Sequence, residues 1–97
     1  MSRFRFLPEA SEELRAAAEY YDAQSVGLGR ELVIQVRRLC RMIAESPKVG
    51  RSVRPELRRR LVRRFPYSVL YSIENDEVLI VAVAHHRRAP GYWRNRI

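Results

Sequence analysis

One change in the spacing of apolar residues decides what this chain can fold into. From Ala10 to Ile43 apolar side chains recur at helical intervals; from Leu57 onward they recur at alternate positions. Such a chain is expected to separate into a helical layer and a sheet layer, the α+β class. Its 97 residues suit one domain, 1–97, with one modest core.

The opening alternation Arg3-Phe4-Arg5-Phe6-Leu7 predicts a short strand. Pro8 then fits the first position of a helix, where its missing N–H costs nothing. Glu9, Glu12 and Glu13 complement the positive end of that helix. Ala10, Leu14, Ala17, Ala18 and Tyr21 form its apolar stripe, so it is expected to run from Pro8 to about Ala23. Ser25 to Gly29 reads as a turn. Leu28, Leu32, Val36, Leu39, Cys40 and Ile43 make a second stripe that ends near Ser46, ahead of Pro47. The two helices form a hairpin.

Pro47 to Pro55 is expected to be a loop. Leu57 to Phe65 then alternates, with Leu57, Leu61 and Phe65 on one face. Tyr67 to Glu74 places Tyr67, Val69, Tyr71 and Ile73 opposite Ser68, Leu70 and Ser72. Asn75-Asp76 makes a tight turn into Val78–His85, the most apolar and therefore central strand. The expected order is βααβββ: a helical hairpin on a small antiparallel four-stranded sheet, its other face partly open.

Charge is distributed unevenly. Residues 1–50 carry eight basic and seven acidic side chains, whereas residues 51–97 carry eleven basic and four acidic ones. The net charge of +8 therefore belongs mainly to the second half, and favours a polyanion or an acidic protein as partner. Eighteen of the nineteen basic residues are arginine, the side chain that meets phosphate or carboxylate in bidentate fashion. The lone cysteine, Cys40, forbids an intrachain disulfide and reads as a buried small hydrophobe. The opening residues have no signal-like apolar run, and no stretch approaches bilayer length, so a cytoplasmic protein without a membrane partner is expected. His85, His86 and Cys40 do not make a metal site, and Gly27-Leu28-Gly29 lacks the lysine of a phosphate loop; neither metal nor cofactor is expected.

Several segments, in order, resemble the RelE/ParE toxin superfamily. Phe6-Leu7-Pro8-Glu9-Ala10 with Glu13-Leu14 is similar to that family's entry into its first helix, and Gly27-Leu28-Gly29 to its interhelical turn. Arg64-Phe65-Pro66-Tyr67-Ser68-Val69-Leu70-Tyr71 resembles its third strand. Val83-Ala84-His85, Arg87-Arg88, Pro90, Tyr92-Trp93 and Arg96 resemble the terminal motif of ParE-like members. The resemblance implies the toxin of a type II toxin–antitoxin pair, held inactive by a cognate antitoxin that covers the open sheet face or the hairpin. ParE-like members poison DNA gyrase; RelE-like members cut mRNA on the ribosome. RelE-like nucleases use clustered lysines and arginines with a terminal tyrosine, whereas Lys48 is the one lysine here and the tyrosine stands in Pro90-Gly91-Tyr92-Trp93. The expectation is therefore a ParE-like gyrase toxin, with mRNA cleavage as the alternative. A non-catalytic nucleic-acid-binding module, or a degenerate toxin kept for its antitoxin, is the reading from another class.

RNA cleavage by the ribose 2′-OH needs a base, an acid and cations, and no metal. His85, Arg87 and Tyr92 are the catalytic candidates; Arg60, Arg64, Arg88, Trp93, Arg94 and Arg96 are the candidates for contact with nucleic acid or target. His85 and His86 are neighbours on a strand and point to opposite faces, so at most one lines an active face. Each candidate also has a structural reading. His85 would hold the strand end by a backbone hydrogen bond, Arg87 and Arg88 would be surface charge or antitoxin contacts, and Tyr92 and Trp93 would close a core.

Overall fold

The computed structural model describes residues 3–97. Its elements are β1 (Phe4–Phe6), α1 (Pro8–Gln24), α2 (Leu28–Glu45), β2 (Arg51–Arg54), β3 (Leu57–Leu61), β4 (Tyr67–Glu74) and β5 (Glu77–His85), with a short 3-10 turn at Arg94–Arg96. The α+β architecture is as expected, a helical hairpin on one sheet. The sheet itself is larger than expected and mixed. Five strands lie in the order β1-β5-β4-β3-β2, and β1 runs parallel to β5. The additional strand, β2, falls inside the segment read as a loop. It has four residues and pairs irregularly with β3 at the sheet's outer edge.

α2 carries the hairpin. It buries Leu32, Val36, Leu39, Cys40 and Ile43, each large apolar side chain contributing about 1.5–3 kcal/mol. Among the residues α1 buries, Ala10, Leu14 and Ala17, one alone is large. α1 therefore leans on two tethers. One is the turn, where Asp22 accepts a hydrogen bond from the Gly29 N–H at 2.8 Å, satisfying a donor that the first turn of α2 leaves free. The other is Glu13, described below.

Between helices and sheet lies the main core, which includes Tyr67, Val69, Tyr71, Ile80 and Val83. A second cluster occupies the far face: Leu57, Leu70, Leu79, Val81, Ala82 and Ala84, with Tyr92 and Trp93 packed on it. Val81 and Ala82 share that face although they are adjacent. A bulge explains this: Leu70 pairs with Ala82 and Tyr71 with Ile80, leaving Val81 over.

The expected common face of Leu57, Leu61 and Phe65 does not form. Leu57 lies in the far cluster, Leu61 is 62% exposed, and Phe65 lies in the main core. The strand stops at Leu61, and Arg64 adopts a left-handed φ of 73° that swings Phe65 toward the helices. There its ring meets Tyr21 edge to face at 5.3 Å. Among the described residues no helix is long and apolar enough to cross a membrane.

Candidate functional site at the end of β5

The chain leaves β5 at His85, and the last twelve residues fold back beside the sheet. The bulge fixes what happens there. Before it, the Ile80 C=O points at β1 and accepts the Leu7 N–H at 2.9 Å. Beyond it the odd-numbered residues face that edge, where β1 has already ended. Side chains fill the gap. Glu13 accepts the Val83 N–H at 3.0 Å, and Arg96 donates to the Val81 C=O at 3.0 Å. Arg96 also donates to both Glu13 oxygens, at 3.0 and 2.9 Å, and Arg88 donates to Glu13 at 3.2 Å.

Tyr92 sits under these guanidinium groups. The Arg88 carbon lies 3.7 Å from its ring centre and that of Arg96 lies 5.1 Å away, both cation–π distances. The Tyr92 hydroxyl is shut off from solvent without a hydrogen-bond partner. Burial, and then the nearby Glu13 carboxylate, push its pKa well above the ordinary phenol value. The Glu13 hydrogen bond in turn raises that of Arg96.

His85 and His86 do point to opposite faces. His85 meets Tyr67 edge to face at 5.0 Å on the helix side, and its Nδ1 accepts the Arg87 N–H at 3.0 Å. That bond leaves the proton of the neutral ring on Nε2. His86 Nε2 lies 3.1 Å from the hydroxyl of buried Ser68, on the far side.

Two hollows flank the strand end. One, of about 930 Å³, is walled by Ala16, Ala17 and Tyr20 of α1 with Tyr67, His85 and Arg88 opposite. The other, of about 250 Å³, lies beneath the terminal segment and includes Arg59, Ser68, His86 and Trp93.

The sequence candidates thus divide into three groups. Arg88, Tyr92 and Arg96 come together around Glu13, and His85 lines the same hollow as Glu13, Arg88 and Arg96. Arg87 and Arg94 are exposed on the terminal segment, and Trp93 packs on the far sheet face. Arg60 and Arg64 belong elsewhere: Arg60 lines a groove against α2, and Arg64 pairs with Glu31 of α2 at 3.2 Å. Sequence reasoning did not count Glu13, the centre of the cluster, among the site residues, placing it only at the helix's positive end and in the motif Glu13-Leu14. Its signal was position, since Ala10, Leu14 and Ala17 around it are buried, which places Glu13 at the border of the helix's inward face. Ser68 and Arg59 were missed as well.

Residues 4–90 match the family described as the ParE toxin of type II toxin–antitoxin systems, parDE. Among solved structures, the fold is similar to that in a chromosomal ParDE toxin–antitoxin system from P. aeruginosa, with a TM-score of 0.77, 17% identity, and coverage of 88% of this chain and 96% of the other. It is similar also to the isolated E. coli RelE toxin, with a TM-score of 0.64, 16% identity, and coverage of 97% and 94%. At these identities the likeness is one of fold. No curated protein sequence matches the chain.

Proposed function

The chain belongs to the ParE toxin family of type II toxin–antitoxin systems, and we propose that it arrests bacterial growth by acting on DNA gyrase in the cytoplasm. An antitoxin made with it keeps it inactive. One observation favours gyrase over mRNA cleavage: two of the three catalytic candidates, His85 and Tyr92, and the arginines beside them are already bound or buried in the fold. Nδ1 of His85 is bound to the Arg87 N–H, the Tyr92 hydroxyl is buried, and Arg88 and Arg96 share Glu13. Cleavage at a 2′-OH needs a base, an acid and a cation converging on one phosphate. A clasped terminal segment with exposed Arg87 and Arg94 fits a rigid contact surface better. On this reading those two arginines touch the target, and Arg88, Tyr92 and Arg96 shape the segment that carries them.

Pulse-labelling after induced expression tests the proposal. DNA synthesis is expected to stop before protein synthesis, and the purified chain to inhibit supercoiling by purified gyrase. Earlier arrest of protein synthesis, with cleaved mRNA, would make the chain a nuclease and return His85, Arg87 and Tyr92 to the role of catalysts. Unchanged growth, with the antitoxin still bound, would mark a degenerate toxin.

A further inference from the structure

Beneath the terminal segment, the hollow of about 250 Å³ rests on the far face of the sheet. Register builds its floor: Arg59 of β3 stands beside Leu70 of β4, and Ser68 of β4 beside Ala84 of β5. The chain from Ala89 to Trp93 lies over that floor, and Trp93 packs on the far cluster. An apolar slot with an aromatic wall therefore shares its floor with two polar side chains. Arg59 is partly buried, yet it forms no ion pair among the described residues, and no carboxylate lines the hollow. Ser68 is 3% exposed, and its hydroxyl lies 3.1 Å from Nε2 of His86. When that nitrogen carries the proton it donates to the serine oxygen, and the serine O–H is left free to donate into the hollow. A partly desolvated guanidinium and a buried hydroxyl donor, side by side, are suited to an anion.

We propose that this hollow binds a small aromatic carboxylate. Its carboxylate would sit on the Arg59 fork with the Ser68 hydroxyl as a further donor, and its ring would lie on Leu70 and Ala84 against Trp93. The planar guanidinium matches a carboxylate in bidentate fashion. One free guanidinium balances one negative charge, whereas a phosphomonoester brings nearly two and a third acceptor oxygen. The other arginine on the hollow, Arg88, is engaged by Glu13 and by the Tyr92 ring. The volume falls below the roughly 300–1,000 Å³ of sites for drug-sized ligands, which limits the body to about one ring. A nucleic-acid strand tracks along an open groove, and here Pro90 and Gly91 of the terminal segment stand over the floor. The inference does not depend on the gyrase reading.

Trp93 is the one tryptophan of the chain, so its fluorescence and its single indole N–H resonance report on the hollow directly. Benzoate titrated into the full chain should shift both and saturate with a Kd of about 0.1–1 mM, as suits a ligand of so few atoms. Benzamide keeps the ring and loses the charge; acetate keeps the charge and loses the ring. Each should bind the wild type at least about tenfold more weakly, a comparison that needs no substitution. Arg59→Met should weaken benzoate about tenfold or more and Ser68→Ala about fivefold. Arg63→Met, exposed and outside the hollow, should stay within about twofold. Melting curves check that the variants are folded. A Trp93 signal that benzoate leaves unmoved overturns the proposal. So does equal binding by the Arg59 and Arg63 variants. Equal responses to benzoate, acetate and inorganic phosphate would mark an unspecific anion site and overturn it too. A Trp93 shift with single-stranded RNA but not with benzoate would assign the hollow to a nucleic-acid surface instead.

Discussion

Glu13 and Arg96 together stand where a neighbouring strand would lie along the outer edge of β5. Helix α1 supplies the acceptor for the Val83 N–H, and the chain terminus supplies the donor for the Val81 C=O. The two side chains then close on each other at 2.9 and 3.0 Å. A buried backbone group left without a partner costs about 1–3 kcal/mol. The pair spares two such groups, and in doing so ties the first helix, β5 and the last turn into one unit.

Removing the carboxylate should therefore cost more than a surface ion pair is worth. The side chains of Glu13 and Arg96 are 11% and 14% exposed, so solvent screens them little. Breaking a buried pair from one side costs roughly 3–5 kcal/mol. We expect Glu13→Ala to lose about 3 kcal/mol and to melt roughly 12 °C or more below the wild type. Glu13→Gln keeps an oxygen for the Val83 N–H and should lose less. Circular dichroism melts of the three proteins check this. Equal melting of all three would mean that the edge is satisfied in some other way.

Much of this fold was legible in the chain because periodicity reports burial. The stripe from Leu32 to Ile43 and the run from Val78 to Ala84 are buried, and both elements stand where their spacing put them. What failed to show was long-range pairing. β2, from Arg51 to Arg54, has no apolar alternation, since its side chains are mostly exposed at an edge. The parallel pairing of Phe4–Phe6 with Val78–Ile80 depends on where α1 and α2 return the chain, not on those residues themselves. The bulge at Val81 interrupts a run of apolar residues whose faces look alike in sequence. At the site, the cationic terminus was visible; its clasp by Glu13 was not, because the partners are more than sixty residues apart.

Gly29 separates two uses of glycine that look alike in the Gly27-Leu28-Gly29 turn. Gly27 has a φ of 88° and open space around it. Gly29 lies in the first turn of α2, and a Cβ there would stand 2.1 Å from the Ala18 carbonyl oxygen. That atom is backbone, so relief requires the helices to part. Overpacking of this kind costs about 1–3 kcal/mol, and Gly29→Ala should fall at the upper end. Its urea midpoint should drop clearly below the wild type's with an unchanged slope. An unchanged midpoint would show that the hairpin has room to spread.

Cys40 offers a test of the core through pH. Burial pushes its thiol from 9.0 up to about 12, against the opposing pull of Arg37 and Arg41. Between those values the unfolded chain gives up the proton while the folded chain keeps it. The associated stability is thus whole below pH 9 and is lost as pH rises toward 12. Tyr67 and Tyr71 are also shifted upward, chiefly by burial, and act in the same direction. Comparison with Cys40→Ala isolates the thiol. From pH 8 to pH 10.5 the wild type should lose about 2 kcal/mol relative to that variant in urea titrations. Parallel losses in both proteins would show that the thiol is more accessible than its position implies.

Tyr92 tells a chemical role from a packing role with one atom. Its ring lies beneath Arg88 and Arg96 and on the far cluster, whereas its hydroxyl is buried without a partner. An unpaired buried hydroxyl carries a desolvation cost of about 1–3 kcal/mol, so deleting it should leave stability unchanged or raise it. Tyr92→Phe keeps the ring and its cation–π contacts; we expect it to melt at or above the wild-type temperature and to arrest growth as strongly. Tyr92→Ala removes the ring and should lose about 3 kcal/mol, with growth arrest weakened because the terminal segment loosens. The informative contrast is toxicity against melting in the Phe variant. A well-folded Tyr92→Phe protein without toxicity would mean that the phenol gives up its proton on the target, which requires it to leave its buried position. The clasp around Glu13 would then be a resting state that substrate opens, and mRNA cleavage would replace gyrase as the activity to pursue.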